Sequence, residues 1–251
     1  MENKEHYLEN EFNLWAYRQK LTNEEDFLTT HFLVKDKKTL EGGTGGGRIL
    51  LELKAKGFTN LSGFDFLPDF ISIAKKRDKG NEIDFRVLNA TKLDYKNEYF
   101  DQLIYLQQIL CLIDKESRKL AMNECSRVLK HNGTALFSFL CYDTRVKQFP
   151  YYFFIFYLKL FRAIFSKKRD IQLLPWLKVS NKINFKALLD KAPYVYWYRM
   201  DEAAKELESA GFRITHAGTM KQIADLKMLT GINELKKEKM EGMLYFVCIN
   251  K

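Results

Sequence analysis

The feature that most constrains the fold is a glycine-rich segment, EGGTGGGR at 41–48, between a predicted strand and a predicted helix. The strand begins with TLE at 39–41, and the helix extends over 48–56 until Gly57 ends it. Glycine has no Cβ atom, so a ligand can rest against such a backbone. In doubly wound α/β folds, nucleotides bind at this strand-to-helix turn. Because a flexible loop can also be rich in glycine, the segment needs a second signal.

Strands and helices alternate along the chain to residue 141, and the alternation resumes at 201. Apolar runs predict further strands over 61–66, 83–88, 100–106, 134–140, 212–217 and 243–250. Helical spacing and end signals predict further helices over 68–76, 115–129 and 201–210, and a turn over 131–133. An amphipathic helical lead-in is predicted over 6–32, with Leu8 and Phe12 on its apolar side. Strands separated by helices predict a doubly wound α/β fold with a mostly parallel sheet.

Length and composition suit one globular domain with an insert: 251 residues, 46% hydrophobic and 29% charged. We predict an N-terminal helical cap over 1–37, a cofactor-binding core over 38–141, an insert over 142–199 and the C-terminal part of the core over 200–251. The formal net charge of +9 suits nucleic acid, an anionic membrane or an acidic substrate, and selects none of them.

The cysteines and histidines indicate neither disulfides nor a metal. The four cysteines are far apart and mostly in apolar runs, which predicts free buried thiols in a reducing compartment. The four histidines form no spaced cluster, so no metal site is predicted. The polar start of the sequence is unlike a signal peptide, and no apolar run reaches the roughly 18–20 residues of a membrane span. A cytoplasmic location is therefore expected.

Two carboxylates near the glycine-rich segment indicate the kind of ligand. Asp65 ends the second predicted strand, where a carboxylate can accept hydrogen bonds from both hydroxyls of a ribose. A simpler role for Asp65, as a cap of the following helix, stays open. Glu41 ends the first strand, where its charge disfavours the pyrophosphate of NAD. The pair predicts a nucleoside cofactor that carries positive charge, such as S-adenosylmethionine.

Five motifs in order resemble those of the class I S-adenosylmethionine-dependent methyltransferase family. They are TLEGGTGGGR at 39–48, GFDFLPDFISIAKKR at 63–77, VLNATKLDY at 87–95, the strand at 100–107 and ECSRVLKHNGTALFSF at 124–139. The resemblance covers about 38–140 and is weaker over 200–250. It implies a Rossmann-like fold with a seven-stranded, mostly parallel sheet and an aromatic-rich helical insert after strand five.

The resemblance also implies which residues hold the cofactor. Glu41 with Gly42, Gly43 and Gly45 would hold the methionine part. Gly42 stands at a position that often carries a larger residue in the family, so this first motif is richer in glycine than usual.

The nucleoside part and the methyl group are assigned in the same way. Asp65 would bind the ribose, Phe66 would lie against the adenine, and Asn89 with Ala90 would meet its amino group. The family often has Asp where this chain has Asn89, which keeps the hydrogen bond and lacks the charge. Gln107 would face the methyl group.

The N-terminal segment and the reaction itself leave alternatives open. In many relatives a Tyr or Arg on an N-terminal helix meets the cofactor carboxylate, which here implies Tyr17 and Arg18; equally, Trp15 and Tyr17 pack this helix onto the sheet. Methyl transfer is an in-line displacement that depends mainly on alignment, so no general base is assigned. His31 and His216 are better explained as ordinary surface or core residues.

The insert combines an aromatic run, FPYYFFIFYLKLFRAIF at 149–165, with a basic stretch. Residues 159–186 contain eight basic residues, Lys167 among them, and one acidic residue. Three interpretations compete: a helical lid whose aromatics pack on the body, an apolar pocket or membrane-contacting surface, and RNA binding. RNA binding is the weakest, because aromatic and basic residues do not alternate.

The sequence thus predicts an S-adenosylmethionine-dependent methyltransferase that acts on a small molecule. If the insert forms an apolar pocket, that molecule is expected to be apolar or aromatic. Two alternatives remain: a lipid or quinone methyltransferase at the membrane surface, and a cofactor-binding protein without catalysis.

Overall fold

A seven-stranded β-sheet forms the centre of the protein. The computed structural model describes residues 12–166, 168–179 and 182–251. The strands are β1 (Thr39–Gly42), β2 (Leu61–Asp65), β3 (Asp84–Val87), β4 (Phe100–Tyr105), β5 (Leu129–Phe139), β6 (Leu173–Pro175), β7 (Lys178–Val179), β8 (Lys182–Ile183), β9 (Tyr194–Tyr196), β10 (Phe212–Thr219) and β11 (Leu244–Asn250). The helices are α1 (Phe12–Tyr17), α2 (Asn23–Phe32), α3 (Arg48–Ala55), α4 (Pro68–Arg77), α5 (Lys115–Val128), α6 (Tyr142–Arg145), α7 (Tyr151–Ile164), α8 (Met200–Ser209), α9 (Met220–Ala224) and α10 (Ile232–Leu235).

The strand order places β1 beside β4 at the middle of the sheet. The order is β10-β11-β5-β4-β1-β2-β3, with β11 antiparallel to both its neighbours and β1 to β5 paired in parallel. The chain passes from β1 towards β2 on one side and later returns to β4 on the other. Ligands of doubly wound folds bind at the carboxyl ends of the strands at such a switch point. The predicted doubly wound, mostly parallel seven-stranded sheet is confirmed.

Apolar side chains cover both faces of the sheet. Leu103 and Ile104 are consecutive in β4 and fully buried, yet they belong to separate apolar clusters. Successive side chains of a strand point to opposite faces, so each face has a core of its own. The four cysteines are buried and free, as the sequence predicted.

The described part of the helical lead-in predicted over 6–32, residues 12–32, contains two helices. α1 ends at Tyr17, and α2 begins after Thr22, whose side chain accepts a hydrogen bond from the Glu25 backbone N–H (3.2 Å). The Glu25 carboxylate in turn accepts one from the Thr22 backbone N–H (2.8 Å). This reciprocal capping box begins a new helix and breaks the predicted continuity. Leu8 lies outside the described residues.

Two further expectations need correction. The predicted turn over 131–133 lies inside β5, where Asn132 has a φ of +61° and the pairing with β4 is irregular near Phe100. The insert over 142–199 is only half helical: after α7, β6 pairs with β9 and β7 pairs with β8. Lys167 lies outside the described residues. No helix within the described ranges has the length and apolar character required to cross a membrane.

Candidate functional site

The glycine-rich turn between β1 and α3 is held close to the N-terminal helix. The backbone N–H of Gly46 donates to the Trp15 carbonyl (3.3 Å). A Cβ atom on Gly46 would stand 2.0 Å from the Ala16 carbonyl oxygen, so no other residue fits there without displacing α1. Gly45 has a φ of +52°, which glycine adopts without strain. The turn therefore needs glycine both for its shape and for its contact with α1.

Arg77, the last residue of α4, ties α1 to the turn. Its guanidinium donates to three backbone carbonyls: those of Ala16 (3.1 Å), Gly46 (2.8 Å) and Arg18 (3.2 Å). Five N–H donors in a planar fork allow one arginine to join several segments in this way. Arg77 thus holds α1 and the residue that follows it, Arg18, against the glycine-rich turn.

Asp65, at the end of β2, is a buried carboxylate with two roles. One oxygen accepts from the Gly45 backbone N–H (3.0 Å) and the other from the Leu67 backbone N–H (3.0 Å). The second bond shapes the turn from β2 into α4, where Leu67 is the N-cap residue, so Asp65 is not the helix cap that the sequence left open. Burial raises the pKa of Asp65 above its usual value. An ionised carboxylate has about four acceptor positions, so these two bonds leave capacity for hydroxyl donors.

Glu41, at the end of β1, is fully buried, and its hydrogen bonds only partly offset the cost of burying its charge. Its carboxylate accepts from the Thr44 hydroxyl (2.6 Å) and from the Gln107 side-chain amide (3.0 Å). Burial raises the pKa of Glu41 to about 7, against these two hydrogen bonds and the charge of Arg48. Arg48 is itself paired on both nitrogens with Glu25. Glu41 is therefore a buried carboxylate that a cationic ligand would stabilise.

The other predicted cofactor residues lie around this edge of the sheet. Asp65 pairs in register with Val87 of β3, so Asn89 and Ala90 follow at the same edge. The Asn89 carboxamide oxygen accepts from the Thr91 backbone N–H (3.0 Å), and the side chain is exposed. Phe66 is 49% exposed beside Asp65. The site thus presents Asp65, Phe66, Asn89 and Ala90 along two neighbouring strand ends.

Tyr17 and Arg18 lie on the exposed side of α1. The Tyr17 side chain is 58% exposed, and Arg18 contributes its carbonyl to Arg77. The contacts of α1 with the turn are made by the backbone of Trp15, Ala16 and Arg18. A role for the two side chains at a cofactor carboxylate stays a prediction.

A cavity of about 330 Å³ opens beside Gln107 and extends under the insert. Its lining combines the loop after β4, α1, α7 and the strands of the insert. The residues are Trp15, Gln107, Gln108, Leu112, Leu140, Arg145, Tyr151, Phe154, Leu174, Pro175, Trp176, Leu177, Lys178, Val195 and Trp197. Most are apolar or aromatic, as expected of a small-molecule site.

Arg145 is a partly buried cation in the wall of this cavity. Its guanidinium lies 3.3 Å from the ring centroid of Tyr151 and 4.2 Å from that of Trp197. It donates to the Gln148 side chain (2.9 Å), and no carboxylate pairs with it within the described part of the chain. Burial lowers the pKa of Arg145 from its usual value, because the charged form loses hydration. Besides Lys178, the cavity therefore has a positive charge at Arg145 that an anionic group of a ligand can neutralise.

The sequence did not identify Arg77 or Arg145 as site residues. Arg77 follows Lys75 and Lys76 in the second motif, and nothing in the sequence distinguishes the three. Arg145 stands alone in front of the aromatic run. Only the packing of distant segments gives these two residues their contacts.

Comparison with known proteins agrees with this geometry. Residues 40–137, which contain Glu41, the glycine-rich turn, Asp65 and Gln107, match the family model described as a methyltransferase domain. Over this stretch the chain matches the methyltransferase family. A search of the curated proteins found no match to this chain.

Solved structures share the fold of this chain at low sequence identity. A methyltransferase from Methanosarcina mazei is 18% identical, covers 89% of this chain and 96% of its own, and has a TM-score of 0.64. Magnesium protoporphyrin IX methyltransferase from Synechocystis, with bound S-adenosylhomocysteine, is 13% identical over 99% of this chain and 98% of its own, with a TM-score of 0.59. The [4+2]-cyclase SpnF is 16% identical over 90% of this chain and 80% of its own, with a TM-score of 0.58.

Proposed function

We propose that this protein binds S-adenosylmethionine at the glycine-rich turn and transfers its methyl group to a small molecule held in the cavity under the insert. One observation carries the proposal. Gln107 lines the cavity and also donates a hydrogen bond to Glu41. The cavity is therefore directly connected to the carboxylate that would face the methionine part of the cofactor. A methyl group held beside Gln107 would face the cavity.

The residues of the turn suit the cofactor in charge and shape. The bound cofactor supplies a methyl group already activated by a sulfonium. Glu41 offers a buried carboxylate to the positive charges of the methionine part, and Asp65 offers free acceptor positions to the ribose hydroxyls. The glycines let the ligand lie against the backbone.

Alignment is the main task of the protein in this reaction. The cavity wall excludes water and orients the acceptor so that its nucleophilic atom lies in line with the methyl–sulfur bond. We assign no general base. Gln107 is a positioning residue, since an amide neither takes nor gives a proton near neutral pH.

The lining of the cavity supports an apolar or aromatic acceptor. Trp15, Tyr151, Trp176 and Trp197 supply aromatic surface. Arg145 adds one positive charge, which favours an acceptor with a carboxylate or another anionic group near its ring.

The test is calorimetric titration of the protein with S-adenosylmethionine and with S-adenosylhomocysteine. We expect both to bind. Asp65→Ala should weaken binding by a factor of about ten to a hundred, because charge-assisted bonds to the ribose contribute about 1.5–3 kcal/mol. Asp69→Ala, four residues later and exposed on α4, is the matched control and should bind as the wild type does. Failure of the wild type to bind either compound would overturn the proposal.

Catalysis is tested separately from binding. S-adenosylmethionine labelled in its methyl group is incubated with aromatic and apolar small molecules, with and without carboxylates, and transfer of the label is followed. A cofactor-binding protein without catalysis is the second candidate, since the fold also occurs in a cyclase. Tight cofactor binding with no transfer to any acceptor class would favour that candidate.

A further inference from the structure

The outer face of α7 exposes large apolar side chains to solvent. Tyr152, Phe153, Phe156 and Leu160 are 60%, 59%, 58% and 50% exposed. Their spacing places them on one side of the helix, opposite the buried residues Phe154, Ile155 and Leu158. A helix that is apolar on both faces is unusual at a water-exposed surface.

This apolar face continues beyond the helix. Phe149, which is 83% exposed, stacks edge-to-face on Phe153 with 5.8 Å between ring centroids. The Tyr157 hydroxyl donates to the Leu188 carbonyl (2.5 Å), which joins α7 to the 3-10 segment Phe185–Leu189. Of the 21 large hydrophobic residues that are exposed in the described part of the chain, 12 lie between 149 and 189. We call the exposed residues of α7, together with Phe149 and Leu188, the outer face of the insert.

The charges around the outer face are positive. No Asp or Glu occurs between Asp143 and Asp170. Lys159 lies among the exposed residues of α7, and Lys186 lies exposed within the 3-10 segment. The carboxylate of Asp190 is buried and pairs with Arg162 and Arg169, so it adds no negative charge to the surface.

We propose that the outer face of the insert docks on an anionic lipid bilayer. Aromatic and aliphatic side chains of an interfacial helix enter the boundary between headgroups and acyl chains, while lysines meet the lipid phosphates. This arrangement removes the exposed rings from water and pairs the unbalanced lysines with negative charge. It also explains why apolar and basic residues are concentrated in the same segment.

The position of α7 relative to the cavity adds a consequence. Tyr151 and Phe154, on the inner side of α7, line the cavity under the insert. The helix thus separates the docked bilayer from the acceptor site by its own thickness. An apolar acceptor dissolved in the bilayer would have a short path into the cavity. Docking itself needs neither cofactor nor acceptor, so this inference goes beyond the proposed function.

The experiment is cosedimentation of the full chain with vesicles. Vesicles of phosphatidylcholine with a minority of phosphatidylglycerol are compared with vesicles of phosphatidylcholine alone, at low and high salt. We expect the protein to pellet with the anionic vesicles, and added salt to weaken this binding. Phe153→Ser and Phe156→Ser should each lower the partition coefficient about tenfold, and Lys159→Gln about fivefold.

Helix α5 provides matched control variants. Leu120 is 52% exposed and Lys119 is exposed next to it, far from the insert in sequence. Leu120→Ser and Lys119→Gln should bind vesicles as the wild type does, and circular dichroism melts confirm that every variant folds. Equal losses in the α5 and α7 variants would overturn the inference.

Other results would also overturn it. These are a monomer that stays in the supernatant, a dimer that Phe153→Ser dissociates, and equal binding to neutral vesicles at high salt. Calorimetry with S-adenosylmethionine on the same variants keeps the two proposals separate. We expect their cofactor affinity to stay unchanged. Vesicle binding without cofactor binding would reject the proposed function and support the docking surface. Cofactor binding without vesicle binding would reject the docking surface and leave the proposed function standing.

Discussion

The side-chain amide of Gln107 donates a hydrogen bond to the carboxylate of Glu41, with 3.0 Å between Nε2 and Oε1. Gln107 follows β4, and Glu41 lies at the end of β1. These two strands are neighbours at the point where the strand order reverses. The bond therefore joins the carboxyl end of β1 to the wall of the cavity. It lowers the pKa of Glu41, but burial outweighs it and raises that pKa to about 7.

The raised pKa of Glu41 predicts pH-dependent cofactor binding. Below pH 7 the carboxyl is mainly protonated, so a cationic ligand must displace a proton to bind. We expect the dissociation constant for S-adenosylmethionine to rise as pH falls through about 7, by at most about tenfold per pH unit. Calorimetry between about pH 6 and about pH 8 measures this. Glu41→Gln should bind more weakly and lose the pH dependence, whereas Glu116→Gln, an exposed control on α5, should retain it.

The same residue predicts how stability without ligand depends on pH. In the folded protein Glu41 has a pKa of about 7 instead of 4.5, so between these values the folded state binds more protons than the unfolded state. The contribution of Glu41 to stability is present below about pH 4.5 and is lost as pH rises through about 7. Relative to the wild type, Glu41→Gln should gain about 3 kcal/mol between these limits. Urea unfolding at both pH values measures the difference, and an equal effect at both would contradict it.

Gly46→Ala tests the contact of α1 with the glycine-rich turn. The new Cβ atom would stand 2.0 Å from the Ala16 carbonyl oxygen, so α1 must move or the turn must strain. We expect a loss of about 1–3 kcal/mol in the free energy of unfolding, measured with denaturant. Gly80→Ala is the control, because its Cβ would meet the ends of two flexible side chains, Glu82 and Lys54, and no backbone atom among its three nearest neighbours. Similar losses in both variants would argue against a specific contact at Gly46.

Arg77→Gln tests how the N-terminal cap is held. The change removes donors to the carbonyls of Ala16, Gly46 and Arg18. We expect the amide protons of residues 12–18 to exchange about a hundredfold faster, since the three lost bonds each contribute about 1 kcal/mol to holding α1 in place. Lys76→Gln, one residue earlier and exposed, should leave exchange unchanged. Hydrogen–deuterium exchange with mass spectrometry reads both out.

Arg145→Met tests the charge in the cavity. The change keeps an apolar stem between Tyr151 and Trp197 and removes the guanidinium. For an acceptor with an anionic group, we expect KM to rise about tenfold or more, with little change in kcat or in cofactor affinity. Lys147→Met, exposed two residues later, is the control. A fall in kcat at constant KM would instead assign Arg145 to the alignment of the reacting atoms.

Much of the core could be predicted because its signals are local. Each strand between 39 and 140 shows an apolar run, and the helices between them show helical spacing and end signals. The predicted strand at 61–66 is observed as Leu61–Asp65, and the predicted helix at 115–129 as Lys115–Val128. Errors arose where local signals conflict. Asn132 and Gly133 suggest a turn, yet they lie inside β5 as an irregularity between Leu129, which pairs with Phe100, and Thr134, which pairs with Gln102.

The insert was harder to predict, since its short strands have no local signal of their own. β6 pairs with β9, which is distant in the sequence. Arg162 holds the start of β6 by donating to the carbonyls of Asp170 and Leu173. Such long-range contacts leave no period in the sequence. The exposure of Phe153 and Phe156 could not be predicted either, because the aromatic run has apolar residues on both the buried and the exposed side of the helix.

The sequence by itself determined the fold class and the chemistry of the Gln107–Glu41 edge. The binding site could be inferred from the glycines, Glu41 and Asp65, because these residues lie at the ends of successive strands. Parallel strands bring those ends together at one edge of the sheet. Only the tertiary structure decided what surrounds them: the burial that raises the pKa of Glu41, and the cavity that Gln107 shares with the insert. Burial and cavity shape depend on which distant segments pack together, and single residues do not encode that.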